Sequence, residues 1–240
     1  MLWPLGWHCI DVDIKNQLSY QGSYPMDLAS DSSWDFYMNN INTFRAVIMG
    51  IECKTFSRSR QHPDGPRPLR SKEYPRGLPK NLLSQDDITT LQVANYFVAQ
   101  CIRLAWLCIN LGIAFAIENP EPWDPDAVSI WDIPEMIQLA SHDRVRVINF
   151  DQCRWGADTA KPTRLLVFNM DASALQLRCN HPEHWIEFTD SSGVNKVEWR
   201  RHPPLIGRKV NGEFATKAAA AYPAELNKAL AFLVESSHKG

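Results

Sequence analysis

The chain has 240 residues, 45% hydrophobic and 22% charged, enough to bury a full core as one domain or one domain with a small appendage. A formal net charge of −2 gives no global attraction to nucleic acid, so a nucleic-acid surface on this chain has to be local. No apolar run reaches membrane-span length, and the opening Met-Leu-Trp-Pro-Leu-Gly lacks the pattern of a secretory signal, which predicts an intracellular protein with no membrane partner. The six cysteines are scattered and Cys9, Cys101 and Cys108 lie in apolar segments, predicting reduced thiols rather than a disulfide framework.

In chain order, His8 to Ile14 predicts a short strand, and a helix is expected to start near Ser32 or Ser33. Phe44 to Gly50 predicts a buried strand. Residues 57–80 form a Pro/Gly/Arg loop without hydrophobic periodicity, too long for a mere connector. Ser84, with Asp87 three residues on, reads as the cap of a long core helix whose apolar positions recur at helical spacing as far as Gly112. Ile113 to Ile117 predicts a strand, Ile133 to Ala140 a short helix, and Val145 to Phe150 and Arg164 to Asn169 two further strands. Thr216 to Ser236 predicts the closing helix. Strands alternating with helices predict an α/β sheet covered on both faces. The expected division is a core over 1–170, a small irregular Cys/His region over 171–213, and a C-terminal segment over 214–240 whose helix returns to the core.

Cys53 follows one expected strand and Glu118 ends another. In an open parallel sheet the ligand crevice lies beyond the carboxyl ends of the strands, so a thiol and a carboxyl group should share one pocket. Taken singly, Cys53 also reads as a buried structural thiol, and Glu118 as a structurally paired carboxylate. The arginines of the loop (Arg58, Arg60, Arg67, Arg70, Arg76) read either as a phosphate clamp or as a solvated surface. Separately, Cys179-Asn-His181-Pro-Glu-His184 places a thiol and two imidazoles within six positions, and Cys153 is the expected fourth ligand of a zinc ion; the alternative is a turn with exposed histidines. Nine tryptophans, Trp123, Trp131, Trp155 and Trp185 among them, offer rings for stacking or for the core.

Several blocks, in order, resemble the C5-cytosine DNA methyltransferases, and among them the divergent compact methylase-like proteins of phages and mobile elements. They are Gly6 to Ile14, the Cys53 segment, Glu118-Asn119-Pro120, Gly156 to Thr163, and Tyr222 to Leu226. The resemblance implies a Rossmann-like methyltransferase sheet, S-adenosylmethionine as cofactor, DNA as partner, and a place in the cytoplasm or nucleoid of a bacterial or phage-infected cell. It assigns catalysis to Cys53 as nucleophile, Glu118 as proton partner, Asn119 and Lys161, and cofactor contacts to Asp13 and Asp27. The family pattern opens with a strand and a Gly-rich turn that this sequence does not show, so the first strand is expected to be missing; either Trp3 and Trp7 cover the sheet edge left bare, or that edge takes a homodimer or a partner subunit. Glu52 stands where the family has Pro, Thr159 where it has Gln, and Lys161 and Thr163 where it has Arg.

Three classes of function follow. One is a cytosine-C5 methyltransferase, and another is a degenerate methylase fold that binds nucleic acid or protein, or forms half of a split enzyme. The third is an unrelated thiol enzyme pairing Cys53 with a histidine such as His62. A Cys-x5-Arg phosphatase is excluded, because position 59 is Ser59.

Overall fold

In the computed structural model of the chain, residues 27–61, 65–122, 124–190, 193–204 and 221–237 are described, the side chains of Arg58 and Ser59 excepted. The expected strand at His8 to Ile14, with Asp13, lies outside them, as do His62 and Trp123. Helix α1 (Asp31–Asn40) buries Trp34, whose indole N–H donates to the Leu28 carbonyl at 2.7 Å. Strand β1 (Ala46–Gly50) follows.

Helix α2 (Gln85–Leu111) has the ends its sequence encodes. The Ser84 hydroxyl accepts from the Asp87 amide while the Asp87 carboxylate accepts from the Ser84 amide, which satisfies two otherwise orphaned donors. At the other end Gly112 adopts φ +72°, a left-handed conformation that closes the last turn onto the carbonyls of Cys108 and Ile109. Strand β2 (Ala114–Pro120), helix α3 (Pro134–Ala140), β3 (Val145–Asp151), β4 (Pro162–Phe168), β5 (His184–Thr189), β6 (Asn195–Arg200) and α4 (Ala224–Ser236) complete the chain.

The main sheet has the order β1-β2-β4-β3. β1 and β2 are parallel, while β4 runs antiparallel to both β2 and β3. The protein is therefore mixed α/β with a mixed sheet, and the parallel sheet expected from the sequence is corrected at β4. The cause lies in the connection: Gln152 to Lys161 is shorter than the roughly dozen residues that a parallel crossover requires.

Alternation along β2 and β4 divides the core. Phe115, Ile117, Leu166 and Phe168 face one way and pack with α1, α2 and α3. Ala114, Ala116, Leu165 and Val167 face the other way and pack, with Ile148 and Phe150, against α4. Both central strands are covered on both faces, which explains their unbroken apolar sequences. β1 has a strand neighbour on one side only among the described residues and leaves Ile48 38% exposed, so the buried strand expected there is instead a half-covered edge.

Two further expectations change. The described part of the expected closing helix is α4 from Ala224, with Pro223 at its N-cap, a residue that would break a helix running through it; residues 216–220 lie outside the described residues. The region expected to be irregular carries an antiparallel hairpin, β5 with β6, turned at Gly193 (φ +84°) and crossed by a Trp185–Trp199 edge-to-face pair at 5.4 Å.

Candidate active site

The register Gly50↔Glu118 levels the ends of β1 and β2, and Pro120↔Thr163 brings the start of β4 to the same edge. The turn carrying Cys53, the carboxyl group of Glu118 and the residue preceding β4, Lys161, therefore meet at one place. Glu118 lies inside β2 rather than after it.

Glu118 is buried, and the Tyr222 hydroxyl donates to its Oε2 at 2.7 Å. Its other oxygen, Oε1, is buried without a hydrogen-bond partner. Burial pushes this carboxyl group above its usual range, against the opposing pull of Tyr222 and of the Lys161 ammonium. The Tyr222 hydroxyl is raised in turn, first by burial and then by the Glu118 carboxylate. Tyr222 reaches Glu118 across Gly50, where an added Cβ would stand 3.1 Å from its hydroxyl oxygen.

Cys53 is half-buried and begins a tight turn in which the Phe56 amide donates to its carbonyl at 2.9 Å. Burial raises its thiol above the usual range, and the Glu118 carboxylate adds to that; Lys161 pulls the other way, and Glu52 makes a smaller contribution upward. Lys161 sits at φ +37°, a conformation costly for a side-chain-bearing residue and held by neighbours. Its carbonyl accepts from the Thr163 hydroxyl at 3.0 Å, and Thr163 accepts from the Gln152 amide at 3.0 Å. Its ammonium lies 5.6 Å from the centre of the Tyr222 ring.

Asn119 is 1% exposed and donates from Nδ2 to the Ile51 carbonyl at 2.7 Å. It ties the end of β2 to the segment entering Cys53. Tyr222, Gly50 and Gln152 were not among the expected site residues. The sequence signal for Tyr222 was its place in the Tyr222-Pro223 block.

The arginine loop divides. Arg70 is 3% exposed: its guanidinium donates to Thr55, to the Pro75 carbonyl and to Asn95, and stacks 3.9 Å from the Phe56 ring centre. Burial, with Arg76 nearby, lowers it to about 10. The phosphate-contact expectation for Arg70 is corrected, since a loop packed on a core needs donors for its own carbonyls. Arg60 donates to the carbonyls of Lys54 and Arg67, Arg67 to that of Leu82, and Arg76 pairs with Glu135 at 2.5 Å. Arg67 and Arg76 remain about half exposed. Arg58 has no described side chain. Asp27 is exposed, and its carboxylate accepts from the Ala29 amide of its own turn at 2.9 Å.

Of the tryptophans, Trp131 is buried and donates to the Pro120 carbonyl, whereas Trp185 is 67% exposed on the hairpin.

The expected metal ligands Cys153, Cys179 and His181 come together, joined by His202 in place of His184. The His184 ring instead lies 3.5 Å from the Pro182 carbonyl. A depression of about 320 Å³ beside this cluster is lined by His181, His184, Arg201 and His202, well separated in sequence from Cys53.

No family model, curated protein or solved structure matches this chain.

Proposed function

We propose that the chain is a cytosine-C5 methyltransferase-like protein of Rossmann-like architecture that acts on a base of DNA, with Cys53 as nucleophile and Glu118 as proton partner. The observation that carries this reading is the buried, partnerless Oε1 of Glu118 beside a half-buried thiol. A buried carboxyl oxygen without a partner costs about 1–3 kcal/mol, and the penalty is removed by a ligand N–H, or by a ring nitrogen that accepts from Oε1 when the acid is protonated. A raised carboxyl group is also the form able to share a proton with the pyrimidine N3.

In the proposed step the Cys53 thiol loses its proton to solvent and its sulfur forms a bond to C6. The C5=C6 electron pair moves toward C4 and N3, where the Glu118 proton receives the charge, leaving an enamine nucleophilic at C5. Without a methyl donor, the enamine takes a solvent proton at C5 and the original C5 hydrogen leaves to solvent; elimination of the Cys53 sulfur then restores the C5=C6 bond and returns the N3 proton to Glu118. The base has to be unstacked or single-stranded to enter. In the family it resembles, S-adenosylmethionine supplies the methyl group. Of the two residues that the resemblance assigns to that cofactor, Asp27 closes its own turn and Asp13 lies outside the described residues. The thiol addition and its proton are therefore the chemistry for which the described residues account.

A second reading, a degenerate methylase fold that holds a base without transfer, is favoured by one observation: burial, Glu118 and Glu52 all keep Cys53 in its thiol form.

Release of tritium from cytosine C5 of an oligonucleotide reads the addition step without requiring cofactor. The wild type should release it above buffer, Cys53→Ala should abolish release, and Glu118→Gln should lower it by roughly 10²–10⁴-fold. Binding without release selects the second reading. Neither binding nor release, with single-stranded and duplex DNA alike, overturns both.

A further inference from the structure

We propose that Cys153, Cys179, His181 and His202 bind one zinc ion as a closed structural site that clamps the β5–β6 hairpin to the edge of the main sheet. This is independent of the methyltransferase reading.

The donor set is two sulfurs and two imidazole nitrogens, whose atoms all lie within 4.8 Å of one another. Cys179 Sγ stands 3.2 Å from His202 Nε2 and 3.6 Å from His181 Nδ1. A tetrahedral zinc ion with bonds of about 2.3 Å to sulfur and about 2.0 Å to nitrogen has sulfur-to-nitrogen edges of about 3.6 Å. The 3.6 Å edge already has that length; closing on an ion requires the 3.2 Å edge to open slightly and the longest separations, within 4.8 Å, to shorten. Four protein ligands leave no open position, which marks a structural site, and the mix of thiolate and imidazole in tetrahedral array favours zinc.

The surroundings hold the donors in aim. His202 places its other nitrogen, Nδ1, 3.1 Å from the Asp158 carbonyl. With the proton on Nδ1 that contact is a hydrogen bond, and the Nε2 lone pair is left facing Cys179. The Cys179 amide donates to Asp151 Oδ2 at 2.7 Å, and Arg154 holds the Arg178 carbonyl at 3.1 Å and Asn180 at 2.7 Å. The turn bearing Cys179 is thereby fixed to the end of β3, beside Cys153. On binding, the two thiols release their protons to solvent, so the doubly charged ion and two thiolates make a neutral site.

The hairpin has a reason to need the ion. Trp185, Val194, Val197 and Trp199 are more than half exposed, and Ile186 is its buried apolar side chain among the described residues. A two-stranded hairpin without a core is marginal in water. His181 precedes it and His202 follows it, so one ion ties both of its ends to Cys153 of the main sheet.

The test is metal analysis of the full chain, purified under reducing conditions without chelator, together with cobalt(II) substitution. One equivalent of zinc and the intense visible absorption of tetrahedral cobalt with a thiolate charge-transfer band are expected. His184→Ala should keep that spectrum. His202→Ala should weaken metal binding by more than the roughly 10–100-fold that loss of a supporting partner brings. His202→Cys should restore a tetrahedral spectrum with stronger thiolate absorption, which separates loss of a ligand from loss of the fold. The proposal is overturned if the reduced wild type takes up neither metal. A Cys153–Cys179 disulfide as the stable form, or a site lost in His184→Ala and kept in His202→Ala, overturns it equally.

Discussion

The Glu118 carboxylate opposes ionisation of the Cys53 thiol, and the opposition can be measured. The Glu118 carboxylate raises the Cys53 thiol while Lys161 lowers it. Alkylation of Cys53 by iodoacetamide, followed by peptide mapping, should be slow at neutral pH and should rise only above the ordinary thiol range. Glu118→Gln removes the opposing charge and should speed it several-fold; Lys161→Met should slow it. Rates that match a free thiol in all three proteins would sink this electrostatic account. Cys101 and Cys108, pushed up to about 12 by burial, serve as unreactive internal references. The same pair predicts a cost in stability. Folding raises the Glu118 carboxyl above its ordinary value of 4.5, so the unfolded chain releases this proton at a lower pH than the folded one. The Glu118 contribution to folding is therefore whole below that value and is lost as pH rises through the folded value. Glu118→Gln never ionises and keeps an acceptor for Tyr222. It should melt with the wild type in acid and a few degrees above it near neutral pH, at about 2–4 °C per kcal/mol for a chain of this size. A lower melting temperature at neutral pH would show that Glu118 is a paired, stabilising carboxylate.

Among the elements, those legible in the sequence carry their own end signals or bury an unbroken apolar run. The Ser84 and Asp87 box and Gly112 bracket α2, and Ala114 to Ile117 announces a strand covered on both faces. The direction of β4 was not legible from its residues, because a doubly buried strand reads alike in either direction; only the short Gln152 to Lys161 connection distinguishes them. The hairpin was missed because Trp185, Val197 and Trp199 alternate toward water rather than toward a core. His202 was missed with it. Extending the ladder past His184↔Arg200 brings residue 202 level with Pro182, beside His181, a proximity that only the strand register reveals. The Cys53 and Glu118 meeting was legible, since Cys53 lies just past β1 and Glu118 near the end of the neighbouring β2, whereas Tyr222 arrives from the far end of the chain. Its reach across Gly50 gives an element-level prediction. Tyr222→Phe leaves both Glu118 oxygens without partners, and Gly50→Ala forces the Tyr222 hydroxyl aside. Each should cost about 1–3 kcal/mol in urea unfolding. Because both break one hydrogen bond, the double variant should cost clearly less than their sum. Strict additivity would mean that Gly50 does not act through Tyr222.

At the scale of the whole molecule, two regions of very different cohesion share one sheet edge. The main sheet is gripped by α1, α2 and α3 on one face and α4 on the other, and Cys53, Glu118, Lys161 and Tyr222 are all fixed to that frame. The hairpin has little apolar burial of its own and hangs from the Cys/His cluster. Local stability follows buried contact, so the two should respond to chelation separately. After a chelator removes the proposed zinc ion, limited trypsin digestion is expected to cut first at Lys196, Arg200 and Arg201, in and just after β6, while the fragment holding α2, β2 and β4 persists. Cys53 alkylation should change little in the same sample, because its neighbours come from the main sheet and Tyr222. Cleavage spread evenly over the chain would show that the ion supports the entire fold. An unchanged digest would show that the hairpin stands without it. A shift in Cys53 reactivity on chelation would reveal a coupling through Gln152, which adjoins Cys153 and holds Thr163 beside Lys161, and would make the metal a determinant of the thiol chemistry.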